Sequence, residues 1–234
     1  MNNDNGYLSL ENIIGYTFRN HDLLKLALTH SSYSNELRLN KTDNYERLEF
    51  LGDAVLELSV SEFLYANNPS MHEGDMTKLR ASLVCEPTLA YCAREAFDLG
   101  KYLLLGKGEE MTGGRTRDSI VSDVFEAIIG AIYLDGGFAP AKSFVLKYVL
   151  TDMDKKIEFT DSKTILQERV QENGDKLSYE LVEEIGPAHD REYVVNALIN
   201  NEVRGRGRGK TKKGAEQMAA YEILKGDFNV SKTN

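Results

Sequence analysis

The stretch Tyr45–Leu58, YERLEFLGDAVLEL, limits more than any other what this chain can become. A helix advances about 100° per residue, which gathers Glu46, Glu49, Asp53 and Glu57 into a strip about 80° wide and sets Leu48, Leu51, Val55 and Leu58 on the opposite side. An acidic helix face is ordinarily a solvated one. Here Phe50 and Leu56 flank the strip and border the carboxylates with apolar surface. Like charges at i,i+3 and i,i+4 repel by roughly 0.2–0.5 kcal/mol a pair when exposed, and by more where water is displaced. A positive partner is expected. The segment offers oxygen donors and no Cys or His, so a divalent cation such as Mg²⁺ or Mn²⁺ is the simplest candidate.

Asp43-x-x-Glu46 has the form of a capping box, which accounts for Glu46. Glu49 and Asp53 lie too deep in the helix to meet free backbone N–H groups. A second long helix, Ser119–Leu134, is apolar nearly all round and is expected to be buried, yet it holds Asp123 and Glu126 at i,i+3 with Gly130 on the same side. A buried carboxylate is costly unless paired, and this helix supplies no cation of its own. Two acidic pairs on two apolar helices therefore point to one shared metal site, with Gly130 permitting close approach.

The remaining sequence sets the frame. Its 234 residues, 41% hydrophobic, suffice for one large or two modest domains with a real core. No apolar run approaches a membrane span and the first residues lack the pattern of a secretory signal, so a cytoplasmic protein without membrane attachment is expected. Cys85 and Cys92, seven apart in a helical pattern, read as two buried thiols. Leu8–Thr29 reads as two helices with a turn at Arg19-Asn20-His21, and His30 as a hydrogen-bonded structural histidine. Asn67-Asn68-Pro69 ends the acidic helix. His72-Glu73-Gly74-Asp75 reads as a loop with Glu73 as its carboxylate and Asp75 capping a helix from Met76 to Leu99, interrupted near Pro87. Gly106-Lys107-Gly108 and Thr112-Gly113-Gly114-Arg115 mark a flexible connection.

The segments Tyr45-Glu46-Arg47-Leu48-Glu49-Phe50-Leu51-Gly52-Asp53, His72-Glu73-Gly74-Asp75-Met76 and Ser119-Ile120-Val121-Ser122-Asp123-Val124-Phe125-Glu126-Ala127 together resemble the ribonuclease III family, in order, spacing and flanking residues, over most of Leu8 to Val149. Tyr45 stands where many members carry Asn. The resemblance implies an all-helical, dimeric endonuclease domain in which Glu49, Asp53, Asp123 and Glu126 hold Mg²⁺. Asp53 and Glu126 would be catalytic, Glu46 and Glu73 would be further acids of the cleft, and Phe50 would enter a pocket on the partner subunit of a homodimer.

Asp152–Ser162 is polar and reads as a linker. Beyond it, Lys163–Gln171 is helical, Tyr179–Glu184, Glu192–Ile199 and Glu202–Lys210 read as strands, and Lys213–Leu224 as a helix. The order α-β-β-β-α resembles the double-stranded RNA-binding domain. That resemblance places Gln167 and the loop Gly186-Pro187-Ala188-His189 in successive minor grooves, with Lys210, Lys212 and Lys213 on the intervening phosphates. The net charge of −9 taken alone argues against a polyanionic partner, but it is unevenly spread. From Thr160 onward there are 12 basic and 13 acidic residues, leaving 16 and 24, a net of −8, to the first 159. The basic run Arg204–Lys213 leads straight into the last helix, whose N-terminal N–H groups favour phosphate.

The fold class expected is thus multidomain: an all-α endonuclease domain over residues 1–151, a linker over 152–162, an α-β-β-β-α double-stranded RNA-binding domain over 163–227, and a tail over 228–234. The implied activity is Mg²⁺-dependent, staggered cleavage of double-stranded RNA to 5′-phosphate and 3′-hydroxyl ends, in the processing of rRNA precursors and other structured transcripts. The rival is an RNA-binding regulator whose first domain only dimerises. Four carboxylates kept on apolar helices speak against it.

Overall fold

The computed structural model of the chain describes residues 3–153, 156, 161–186, 191–209 and 211–230. It forms two compact units, Met1–Met153 and Asp154–Asn234. Most of the expected linker, residues 154–155 and 157–160, lies outside the described residues, as do residues 231–234 of the tail.

The first unit is helical: α1 (Asn3–Ile14), α2 (His21–Ala27), α3 (Ser31–Glu36), α4 (Glu46–Asn67), α5 (Glu73–Val84), α6 (Glu86–Phe97), α7 (Lys107–Met111), α8 (Asp118–Gly136) and α9 (Phe138–Tyr148). Its centre is α8, where Val121, Val124, Phe125, Ala127, Ile129 and Ile132 are wholly buried. Each large apolar side chain so enclosed contributes about 1.5–3 kcal/mol, which is why a helix apolar on all sides ends in the middle. Phe125 joins Phe97, Phe144 and Tyr148 in an aromatic cluster with ring centroids 4.6–6.0 Å apart. Against α8 lies α4, whose Leu48, Val55, Leu56, Val60 and Leu64 face inward.

Several local expectations are corrected. Asp43 does not cap α4; its carboxylate accepts from Asn40 N–H at 3.1 Å and Asn40 Nδ2 at 3.0 Å, folding the loop back on itself. The Glu46 N–H is met instead by Asn44 Oδ1 at 3.1 Å. Leu58 does not join the buried side of α4 but is exposed with Phe50 and Tyr65. Those three residues share a face, so α4 is divided into three stripes and not two. Glu73 is no loop residue: it opens α5, with His72 as N-cap and Asp75 inside the first turn, where a negative charge favours the dipole without a side-chain cap. The break between α5 and α6 falls at Cys85, just ahead of Pro87.

The glycine-rich connection expected to be flexible is strapped down. Arg115 pairs with Glu110 and Arg117 with Glu109, each at 2.5 Å. Arg115 Nη1 also donates to the carbonyls of Gly100 and Leu103 at 2.9 Å. The Gly106 and Lys107 N–H groups reach Ser32 Oγ at 2.9 Å and Glu36 Oε2 at 2.7 Å. Glycine there serves close contact: a Cβ on Gly106 would meet the Ser32 carbonyl.

The second unit runs α10 (Ser162–Glu172), β1 (Leu177–Ile185), β2 (Glu192–Ile199), β3 (Glu202–Gly209) and α11 (Lys212–Val230). The strands form an antiparallel sheet in the order β1-β2-β3. Asn200 and Asn201 turn the β2–β3 hairpin at positive φ, 52° and 67°, as a two-residue turn of this kind requires. Leu166 and Val170 of α10, Ala197 of β2, and Ala219, Ala220, Ile223 and Leu224 of α11 make the core. Ser162 belongs to α10 and not to the linker, and α11 continues to Val230, past the expected end at Leu224 and into the stretch read as tail.

Candidate active site

What brings the two acidic pairs together is a contact between glycines. A Cβ on Gly52 of α4 would fall on the Glu126 carbonyl of α8, and one on Gly130 of α8 on the Leu48 carbonyl of α4. The helices therefore meet backbone to backbone, closer than any side chain would permit. Glu49 and Asp53, flanking Gly52, are thereby set against Asp123 and Glu126 on the facing helix.

The electrostatics report the juxtaposition. Burial pushes the Glu126 carboxyl up to about 8, and the charges of Asp53, Glu49, Asp123 and Glu57 add to it. Glu49 is pushed up to about 7 by burial and then by Asp123, Glu46 and Asp53. Asp53 is raised by burial and by Glu57, and Asp123 by burial. No Lys or Arg among the described residues pairs with any of the four. The separation in sequence between the pairs is thus closed in space. Still, no group of three or more His, Cys, Asp or Glu among the described residues is arranged, as it stands, to hold a metal ion. What the fold fixes is the approach of the two helix backbones, which puts the four carboxylates on facing sides of one contact.

Glu46, exposed at the start of α4, adds its charge to Glu49 from the rim. Glu73 is not brought to this cluster. Its Oε1 accepts from Thr77 Oγ1 at 3.0 Å, and it lines a cavity of about 500 Å³ with Leu58, Leu64, Tyr65, Met76 and Arg80. Phe50 is 81% exposed, on the same helix as that cavity's Leu58 and Tyr65. His30 is structural as expected: its Nδ1 accepts from the Ser32 N–H at 3.1 Å and capping α3 occupies it. Burial lowers its pKa despite nearby Glu109, Glu46 and Asp123. Cys92 is buried and Cys85 half-buried, and neither is in a disulfide.

Sequence reasoning passed over two participants. Glu57 lay in the acidic strip, one turn beyond Asp53, and its charge is felt by both Asp53 and Glu126. Tyr45 stood out only as a departure from the Asn of many family members; its role was hidden because its hydroxyl donates to Asp123 Oδ2, 78 residues away, at 3.3 Å.

In the second unit, Lys212 and Lys213 stand exposed in the first turn of α11, and Gln167 is half-buried on α10. Thr211 Oγ1 accepts from the Gly214 N–H at 2.9 Å and caps the helix. Lys210 and the loop residues Pro187, Ala188 and His189 lie outside the described residues. The basic run is split by the fold. Gly205, Gly207 and Gly209 face α11 so closely that a Cβ on any would strike its backbone, which sends Arg204, Arg206 and Arg208 to the opposite, exposed face.

Comparison with known proteins agrees with both halves. The family described as "Ribonuclease-III-like" matches residues 20–153, and the "Double-stranded RNA binding motif" matches residues 162–226. Ribonuclease 3 of Shouchella clausii is 53% identical over 214 residues, 90% of this chain and 82% of that protein. Ribonuclease 3 of Listeria monocytogenes is 48% identical over 219 residues, 92% of this chain and 95% of that one. Among solved structures, the nuclease domain of ribonuclease III from Campylobacter jejuni superposes with a TM-score of 0.55 at 44% identity, covering 64% of this chain and 95% of that domain. The chain belongs to the ribonuclease III family, an endoribonuclease carrying a double-stranded RNA-binding motif.

Proposed function

We propose that this endoribonuclease cuts double-stranded RNA with Mg²⁺ held by Glu49, Asp53, Asp123 and Glu126, leaving 5′-phosphate and 3′-hydroxyl ends. The observation that carries the reading is the backbone contact of α4 with α8 at Gly52 and Gly130, which sets Glu49 and Asp53 against Asp123 and Glu126 with no Lys or Arg among the described residues paired to any of them. An all-oxygen, anionic donor set of this kind suits a hard divalent cation, and Mn²⁺ would substitute. Mg²⁺ there supplies an acidified water and positive charge for the phosphate and the leaving oxygen. Asp53 of α4 and Glu126 of α8, brought face to face by the Gly52–Gly130 contact, are the catalytic pair of this reading and would hold the metal beside the scissile phosphate, and Glu46 extends the acidic rim. An end-labelled duplex incubated with and without Mg²⁺ tests this: cleavage only with the metal is expected, and binding without cleavage in Mg²⁺ overturns it.

We further propose that the enzyme acts as a homodimer in which Phe50 enters the cavity beside Leu58 and Tyr65 on the partner subunit. The support is the exposed apolar stripe on α4 with a cavity alongside it. The Campylobacter nuclease domain also has a region involved in dimer formation. Glu73, which lines the cavity, belongs on this reading to the dimer face and joins the cleft through the pairing. Two sites, one per strand, give a staggered cut.

Residues 163–227 grip the duplex by shape, with Gln167 and His189 in minor grooves and Lys210, Lys212 and Lys213 on phosphates. Residues 1–151 are the catalytic part and 152–161 the linker, since Ser162 opens α10 and α11 runs on to Val230. Precursors of rRNA and other structured transcripts are the proposed substrates, in the cytoplasm where they are made. Their accumulation in cells lacking the enzyme is the corresponding test.

A further inference from the structure

Tyr45 is 4% exposed at the N-terminus of α4. Its backbone is fixed, since its N–H donates to the Thr29 carbonyl at 2.9 Å. The strand-like segment around Thr29 is itself clamped: the His30 N–H donates to the Leu104 carbonyl at 3.0 Å, and the Leu104 N–H to the Leu28 carbonyl at 2.8 Å. The His30 ring, locked by Ser32, packs on the Tyr45 ring with centroids 5.7 Å apart. From this base the phenol crosses to α8, where Asp123 Oδ2 at 3.3 Å is its hydrogen-bond partner. That separation is longer than the usual distance of about 2.7–2.8 Å for such bonds, so the hydroxyl steers the carboxylate more than it clamps it. A buried phenol with one partner has exchanged its water for that contact.

We infer that Tyr45 is a positioning residue for Asp123: its O–H draws one carboxylate oxygen toward itself and leaves the other for the cation. The inference rests on the metal-holding role proposed for Asp123. Carboxylates that ligate metals are themselves hydrogen-bonded by an outer partner, and loss of such a partner typically costs about 10–100-fold in metal affinity. Tyr45 touches neither RNA nor ion on this account; it acts through Asp123.

The test is titration of Mn²⁺ into full-length protein without RNA, for the native enzyme, Tyr45→Phe and Glu126→Gln. Tyr45→Phe, which removes one oxygen atom, is expected to bind Mn²⁺ roughly ten-fold more weakly. The Mg²⁺ concentration giving half-maximal cleavage should move by the same factor, while KM for duplex at saturating Mg²⁺ stays as in the native enzyme. A merely structural role would lower the melting temperature and leave the metal midpoint in place. Native enzyme and Tyr45→Phe binding Mn²⁺ equally, with Glu126→Gln deficient, overturns the role of Tyr45 alone. Native enzyme that binds no Mn²⁺ overturns the metal site and this inference with it. Should Tyr45→Phe not fold, the ¹³Cζ resonance of Tyr45 in the native protein gives the answer: it should shift on Mg²⁺ addition, and a resonance that stays put overturns the proposal.

Discussion

Glu126 is the residue whose surroundings most oppose its ionised form, and Glu49 follows it. With carboxyl groups held at about 8 and about 7 against the usual 4.5, the folded metal-free protein keeps protons that the unfolded chain has already released. Their contribution to stability is therefore full below about pH 4.5 and is lost as pH rises through 7 to 8. Melting in EDTA should fall between pH 5 and pH 8.5, and added Mg²⁺ should restore it most at the alkaline end; a Mg²⁺ effect independent of pH would contradict the assignment. Glu126→Gln removes the charge and keeps the shape. It should abolish cleavage, spare duplex binding and raise the metal-free melting temperature at pH 8 by a few degrees. Substantial remaining cleavage would refute the role given to Glu126.

At the scale of elements, the site exists because α4 and α8 touch through Gly52 and Gly130. Alanine in a helix gains up to about 1 kcal/mol over glycine, whereas forcing a methyl into close-packed backbone costs about 1–3 kcal/mol or more. The steric effect wins, because neither neighbouring carbonyl can yield without moving its helix. Gly130→Ala should thus lose about 2 kcal/mol in urea unfolding and most of its cleavage together, since the same displacement parts the acidic pairs. A stable, active Gly130→Ala would mean that the helices do not need this contact. The helices themselves and their apolar faces were plain in the sequence. The third stripe of α4, with Phe50, Leu58 and Tyr65 exposed, was not, because a two-sided amphipathic reading assigns every leucine to the core.

For the whole molecule, the division of charge matters more than its sum. Among the acids of the first 159 residues, Glu46, Glu49, Asp53, Glu57, Asp123 and Glu126 stand together on α4 and α8, while α11 presents Lys212 and Lys213 at a helix N-terminus. Changing both lysines to Ala should weaken duplex binding and make its salt dependence shallower by roughly 2 in logarithmic slope, about 0.9 for each phosphate contact. An unchanged slope would remove them from the interface. Phe50→Ala should shift the enzyme from dimer to monomer in sedimentation at micromolar concentration, with helix content retained; a dimer that persists would place the interface elsewhere.

The sequence by itself determined the two-part organisation, the α-β-β-β-α order of the second part, the long helices α4 and α8 of the first and the two acidic pairs they carry, because those depend on local periodicity and on residue types that are costly to keep on apolar helices without a purpose. Only the tertiary structure decided that Asn44 and not Asp43 meets the start of α4, that Glu73 stands apart from the other acids, that the arginines of β3 part from the lysines of α11, and that Tyr45 holds Asp123. Each of these is a choice between partners that local chemistry leaves equal. Packing alone separates them, through a loop that folds back, a glycine that admits a backbone, or a phenol that spans two helices 78 residues apart in the chain.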